Sequence, residues 1–261
     1  MGSFISRIGG KHLLRRDIVG LMPPDRQTYV EVFGGAGHVM FAKPTLSREV
    51  EVFNDIDKEL VNLFRVVRNR CDEFERRQYF LLSSRTEYQA FLADYRARTP
   101  KDEIDRAIMY YYLVMNSFGS GVTTGFGTGK AKKPRYPACI ENLGPVRERL
   151  KRVTIECLSF DKLIPKYDSE GSLFYADPPY MVTLEKPGYY QHEMTEEQHV
   201  LLRDMLMAIQ GRFILSYDDH PRVWELYKGC NIQTTRAVHY SMNNRPGTSS
   251  VHKSEVFVTN F

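Results

Sequence analysis

Apolar positions along this chain alternate between two spacings, and the changes of spacing mark out its elements. Leu13, Leu14, Ile18 and Leu21 fall near helical spacing and Pro23-Pro24 ends the run, which predicts a short helix over 12–21. Thr28-Tyr29-Val30-Glu31-Val32-Phe33 is β-rich and of strand length, and Gly34-Gly35-Ala36-Gly37 follows it directly. His38 to Ala42 is compatible with helix, so the reading is strand, glycine turn, helix. A second strand over Glu49–Phe53 closes on Asn54-Asp55-Ile56-Asp57, and Leu60, Leu63, Phe64 and Val67 then mark an amphipathic helix. The opening is of βαβ type.

From about 72 to 118 the β-rich runs stop and helices are predicted, the last with a stripe of Ile104, Ile108, Tyr111, Tyr112 and Met115. Its Tyr110-Tyr111-Tyr112 run reads as a helix with one buried face. A Gly- and Thr-rich loop leads to Pro137, then a helix over 141–150, and the strand Val153–Cys157 restores the α/β rhythm. Leu173-Phe174-Tyr175-Ala176 is another apolar strand. Thr195 with Gln198 makes a capping box for a helix carrying Leu201, Leu202, Met205, Leu206 and Ile209, stopped at Gly211. Strands over Phe213–Tyr217, Asn231–Tyr240 and Glu255–Asn260 complete the set. This alternation implies an open, largely parallel sheet with helices, which binds ligands at the carboxyl ends of its strands. Each polar motif of the sequence sits at such an end.

Composition narrows the class. The 261 residues are 42% hydrophobic and 26% charged, which fits a folded, soluble chain and sets aside disordered, collagen-like and disulfide-scaffold classes. No apolar run approaches the roughly 18 residues of a membrane span, and the N-terminus lacks a signal-peptide layout, so a cytoplasmic protein is expected. Cys71, Cys139, Cys157 and Cys230 form no CxxC pair and the histidines show no ligand spacing around them; free buried thiols and no metal site are expected. The net charge of +4 says little, but its distribution says more. Between Gly119 and Arg152 stand Lys130, Lys132, Lys133, Arg135, Arg147, Arg149, Lys151 and Arg152 against Glu141 and Glu148, a local +6. Charge alone leaves two readings of this stretch, a phosphate-contacting loop or a solvated one.

The chemistry-bearing motifs are two. In Glu31-Val32-Phe33-Gly34-Gly35-Ala36-Gly37 the glycines allow a tight turn and close approach of a ligand. The dinucleotide fingerprint needs a third glycine where Met40 stands, and no GK[ST] occurs here, so pyrophosphate and Walker-type binding are disfavoured. An adenosine-bearing ligand without phosphate remains, with Asp55 placed to take its two ribose hydroxyls; a plain βα turn with an acidic helix cap is the competing reading. The second motif, Asp177-Pro178-Pro179-Tyr180, follows an apolar strand. Two prolines fix the backbone and remove two donors, leaving a carboxylate, carbonyl acceptors and an aromatic face. Together they form a receptor for a planar ring carrying an amino group, such as a base amine.

These residues resemble the Dam-like, D12-class DNA adenine methyltransferases over nearly the whole chain. Gly9-Gly10-Lys11 is similar to that family's N-terminal cofactor-holding element, Phe33-Gly34-Gly35-Ala36-Gly37 to its FxGxG turn, Asn54-Asp55-Ile56 to its ribose-binding element and Asp177-Pro178-Pro179-Tyr180 to its catalytic tetrapeptide. Asn116 to Pro137 falls where the family carries the hairpin of its helical DNA-recognition insertion, and Glu255-Val256-Phe257-Val258-Thr259-Asn260 resembles its closing strand. Two departures stand out. The family's Asp-Phe pair near the cofactor adenine is here Ser159-Phe160, and the loop after Asn116 does not reproduce the base-reading residues of GATC readers.

The resemblance implies a Rossmann-like class I methyltransferase sheet with helices on both faces, formed by residues 1–60 and 150–261. A helical target-recognition insertion over 61–149, with its basic loop at 119–137, interrupts it. It implies S-adenosylmethionine held by Gly10, Lys11, Phe33, Gly34, Gly35, Gly37, Asp55, Phe160 and Asp177, catalysis by Asp177, Pro178, Pro179 and Tyr180, and double-stranded DNA contacted by Asn116, Lys130, Lys132, Lys133 and Arg135. A flipped adenine would stack on Tyr180 while Asp177 and the Pro178 carbonyl hold its amino hydrogens for in-line transfer. No metal and no membrane enters, and a restriction endonuclease partner is compatible with such an enzyme. Cytosine-N4 methylation, RNA or protein glutamine substrates, and a catalytically silent DNA-binding module of the same fold are the alternatives. None of the four cysteines follows a proline, as a cytosine-C5 nucleophile commonly does.

Overall fold

A computed structural model describes residues 1–7, 9–127, 136, 138–141, 143–185, 192–235, 238–239 and 252–261. Its elements are α1 (Arg15–Gly20), β1 (Thr28–Glu31), α2 (His38–Ala42), β2 (Val50–Asn54), α3 (Lys58–Asn69), α4 (Cys71–Gln78), α5 (Arg85–Ala97), α6 (Glu103–Asn116), α7 (Gly144–Leu150), β3 (Val153–Glu156), α8 (Phe160–Tyr167), β4 (Ser172–Ala176), α9 (Val182–Glu185), α10 (Glu196–Ala208), β5 (Arg212–Asp218), α11 (Pro221–Leu226), β6 (Asn231–Thr234), β7 (Val238–His239), β8 (His252–Lys253) and β9 (Glu255–Thr259). Among the described residues seven strands form one sheet in the order β3-β2-β1-β4-β5-β9-β6, and β7 pairs with β8 apart from it. The pairs among β3, β2, β1, β4 and β5 are parallel, whereas β9 runs antiparallel to both β5 and β6. The Rossmann-like α/β sheet expected from the sequence is present.

Side chains alternate between the two faces of each strand, and every central strand feeds two layers. Tyr29, Phe53, Leu173, Tyr175, Ile214 and Phe257 enter one core with the inner faces of α1, α2, α3, α4, α6 and α7. Val30, Val52, Phe174, Ala176, Leu215, Val256 and Val258 enter the other with α8, α10 and α11. All five residues of β4 are buried, as are all five of β9, which is why both read as near-continuous apolar runs. The capping box at Thr195 and Gln198 starts α10. Asp57 starts α3 by accepting from the backbone N–H groups of Glu59 and Leu60.

Helix α6 differs from its expected form. Tyr110, Tyr111 and Tyr112 are all fully buried, so the helix is enclosed on opposite sides and not on one face. Three successive residues span about 200° of a helix, and each hydroxyl finds a partner in a different direction. Tyr110 donates to Asp57, Tyr111 to the carbonyls of Phe4 and Cys139, and Tyr112 to the Leu82 carbonyl. The thiols differ too: none of the four forms a disulfide, but only Cys71 is buried, and Cys157 is exposed.

Candidate active site

Parallel strands deliver their carboxyl ends to one edge, and the polar motifs gather there. Asn54 ends β2 and ties that edge together: its amide donates to the carbonyls of Val32 (2.8 Å) and Leu158 (3.0 Å), and its oxygen accepts from the Leu158 N–H (2.8 Å). The Gly34 N–H donates to the Asn54 carbonyl at 2.7 Å, and a Cβ on Gly34 would overlap the Phe53 ring. Gly35 stands at φ +51° over open space, and Gly37, also left-handed, caps α2.

Asp55 is held by its own surroundings. One carboxylate oxygen accepts from Gly35 N–H at 2.8 Å and the other from Asp57 N–H at 2.9 Å. A carboxylate offers about four acceptor directions, so two remain for a ligand's hydroxyls. Burial pushes its carboxyl above the ordinary range, against the pull of Arg7 and of the two N–H donors. Arg7 itself joins Asp57 at 2.8 Å and Tyr110 at 2.6 Å, which fixes α6 to the start of α3 beside this edge.

These residues surround a cavity of about 480 Å³. Gly10, Lys11, Phe33, Gly34, Gly35, Asp55, Phe160, Asp177, Pro178 and Pro179 all line it, so the structure brings most of the sequence-predicted site residues together. Phe160 is buried, its ring 6.0 Å from that of Phe33, and Ser159 and Asp161 line the wall beside it. Tyr180 stands outside the lining, with its ring centroid 4.8 Å from Lys11 Nζ and 6.2 Å from the ring of Tyr217. Lys11 Nζ lies 2.7 Å from Asp177 Oδ1 and 3.7 Å from Glu255 Oε2. Burial pushes the Asp177 carboxyl up to about 6; Lys11 opposes this and Glu255 adds to it. The Glu31 carboxyl, buried at the end of β1, is pushed up to about 8 by burial, against the hydrogen bond it accepts from Tyr29 at 2.7 Å.

Other predicted residues lie elsewhere. Asn116, expected to contact DNA, is 5% exposed, and its amide donates to the Tyr112 carbonyl at 3.0 Å. Its own carbonyl accepts from Gly127 N–H, so it anchors the root of the loop from inside. Lys130, Lys132, Lys133 and Arg135 lie outside the described residues. Of the other basic residues in that stretch, Arg149 pairs with Glu51 (2.6 Å), Arg147 with Asp72 (3.0 Å) and Lys151 with Glu148 (2.7 Å). The local charge excess is therefore partly structural. His199 is buried on Tyr217, and its ring is pushed down to about 4 by burial. Asp218 accepts from the N–H groups of Met181 and Val182, fixing the segment after the tetrapeptide.

Sequence reasoning missed Arg7, Glu31 and the part played by Glu255. A carboxylate opening an otherwise apolar strand was the available signal for Glu255, and a lone acid in the wholly apolar turn approach was that for Glu31. Arg7 carried none, because its partners arrive from α3 and α6. Among the described residues no helix is long and apolar enough to cross a membrane, and no cluster of His, Cys, Asp and Glu could hold a metal ion.

Known proteins of similar sequence have similar chemistry in their names. Type II methyltransferase M1.LlaDCHI of Lactococcus lactis subsp. cremoris is 29% identical over 276 residues, covering 99% of this chain and 95% of its own. The DNA adenine methylase of Escherichia coli strain K12 is 26% identical over 262 residues, 94% of this chain and 91% of its own. Type II methyltransferase M.CviBI of Paramecium bursaria Chlorella virus NC1A is 25% identical over 227 residues, 85% of this chain and 84% of its own. A solved Haemophilus influenzae chain aligns with a TM-score of 0.35 at 10% identity over 98% of this chain and 99% of its own, a likeness too slight to inform the fold. Residues 8–240 match the family described as D12 class N6 adenine-specific DNA methyltransferase, which decides between the adenine and cytosine readings. With that match spanning the glycine turn, Asp55 and Asp177-Pro178-Pro179-Tyr180, the chain belongs to the D12 class of N6 adenine-specific DNA methyltransferases.

Proposed function

We propose that this chain binds S-adenosylmethionine in the cavity at the carboxyl edge of its sheet and methylates the amino nitrogen of an adenine turned out of double-stranded DNA, at a specific site. The observation that carries the reading is the Asp177 carboxylate, set in the wall of that cavity at the end of a fully buried strand. The residues present fit such a cofactor. The volume lies within the range of small-molecule sites. Asp55 keeps two acceptor directions for ribose hydroxyls, and Phe33 and Phe160 offer apolar surface for an adenine ring. Gly10, Lys11, Gly34 and Gly35 line the cavity, and Gly37 caps α2 outside that lining. Ser159 stands where the related enzymes have an acid.

The cofactor supplies a methyl group made electrophilic by a positively charged sulfur. Everything else falls to the chain. Extruding the base costs a few kcal/mol, which stacking on Tyr180 partly offsets. Asp177 and the Pro178 carbonyl accept the two amino hydrogens, and Pro178 and Pro179 hold those acceptors still. Positive charge develops on the amino nitrogen during transfer, and preorganised acceptors stabilise it there without reorganising. Asp177, more basic than an exposed carboxylate, then takes the amino proton. The helical segment 61–149 and its basic loop at 119–137 supply the recognition of the duplex, while residues 1–60 and 150–261 supply the chemistry.

Asp177→Asn is expected to slow methyl transfer to duplex adenine by about 100-fold or more while calorimetry shows S-adenosylmethionine binding largely retained. Near-normal transfer by this variant overturns the assignment. Product nucleosides identified by mass spectrometry should be 6-methyladenine alone.

A further inference from the structure

Lys11 and Glu255, near opposite ends of the sequence, meet beside the carboxylate that the proposed chemistry uses. The meeting follows from the topology. Because β9 is antiparallel to β5, its first residue comes to the carboxyl edge, where Glu255 pairs in register with Asp218. Lys11 Nζ donates to the Gly9 carbonyl at 3.0 Å and stands 2.7 Å from Asp177 Oδ1 and 3.7 Å from Glu255 Oε2. The Gly9 carbonyl takes a hydrogen bond from the ammonium, and the two carboxylates stand beside it as ion-pair partners. The side chains of Lys11 and Glu255 are 3% and 2% exposed, so water screens little of their field.

Lys11, itself buried, stands between the half-buried Asp177 carboxylate and the buried Glu255 carboxylate and divides its charge between them. We propose that Glu255 is a positioning residue for methyl transfer: it shares Lys11 with Asp177, and thereby keeps Asp177 basic enough to accept the proton of the adenine amino group. This rests on Asp177 being the group that receives that amine. With a neutral side chain at 255, the whole ammonium charge would fall to Asp177, stabilise its anion and weaken it as a base. With Lys11 removed, Asp177 would face Glu255 unshielded and hold its proton more tightly.

The groups facing Asp177 from other elements do not confuse this titration. Glu31 of β1, pushed up to about 8 by burial, stays protonated across the acid limb and ionises only toward the upper end of the pH range. Tyr175 of β4 and Tyr217 of β5 have phenols raised well above 10 by burial and stay neutral. Lys11 is held above its ordinary value, because Asp177 and Glu255 outweigh the burial that opposes its charge, and it stays protonated throughout.

The test is the single-turnover rate of methyl transfer to duplex DNA from about pH 5 to about pH 9, with saturating S-adenosylmethionine. Activity falls on the acid side as Asp177 takes up a proton. Glu255→Gln is expected to move that acid limb down by about one pH unit, with a lower plateau, and Lys11→Met to move it up by a similar amount. A Glu255→Gln limb that coincides with that of the unaltered enzyme, whatever Lys11→Met does, would make Glu255 merely structural and overturn the proposal. Should the glutamine variant fail to bind cofactor by calorimetry, Glu255→Asp, which withdraws the charge by one methylene, should shift the limb down by less. An unmoved limb there overturns the proposal equally. If instead Asp177→Asn keeps its activity, the reading of the site fails, whatever the limbs do.

Discussion

Gly34 sets how closely the first turn presses on the neighbouring strand, since any Cβ there overlaps the Phe53 ring and crowds the Asn54 carbonyl. Gly34→Ala is expected to lower stability by about 1–3 kcal/mol through overpacking and to weaken cofactor binding, read by thermal melting and calorimetry. An unchanged melting temperature would show that the Phe53 ring can swing aside. Single residues were legible in the sequence where the backbone path alone decides their place. Asp55 and Asp177 directly follow apolar strands, and a parallel sheet puts such residues at its ligand edge. The family resemblance made Asn116 a DNA contact, and the structure sets its side chain, buried at the end of α6, on the Tyr112 carbonyl. Periodicity reports which helix face is apolar and is silent on how many faces are covered.

At the scale of elements, α7 is tied to the sheet by charge. Arg149 grips Glu51 of β2 with two hydrogen bonds, at 2.6 and 2.7 Å, and also donates to the Met40 carbonyl. Glu51 shares Lys43 with Glu49, and Glu49 in turn holds Arg26, so the chain of buried ions crosses from α7 to the loop before β1. Arg149→Met would leave Glu51 with Lys43 alone. The expected loss is about 2 kcal/mol, below the roughly 3–5 typical of an orphaned buried charge because Lys43 remains. In a chain of this length that lowers the melting temperature by about 4–8 °C, and a shift under a degree would show the pair to be replaceable. Strand and helix types were readable from the sequence because period 2 and period 3.6 differ sharply. The single strand expected over Asn231–Tyr240 is instead β6, ending at Thr234, with Val238–His239 pairing in a separate ribbon. Nothing in that run's composition distinguishes one sheet's edge from another's partner.

For the whole molecule, DNA affinity should depend on salt through the basic loop. Replacing Lys130, Lys132, Lys133 and Arg135 together by glutamine is expected to reduce the slope of log affinity against log salt by about 0.9 for each phosphate that is no longer neutralised. A slope equal to that of the unaltered protein would return the loop to plain solvation. Arg147, Arg149 and Lys151 are not part of that test, since carboxylates already hold them. The order of the sheet has a consequence for assembly. Strand β9 is inserted between β5 and β6, and the buried charge set around Asp177 needs both the segment before α1 and this late strand. Pairings so distant in sequence carry a larger loop-closure entropy than local ones, which is spent before they return anything. The helices and the first βα units can form while the chain is still catalytically inert. Competence is then a property of the finished topology, acquired when the last strand enters and the first to disappear if it slips out.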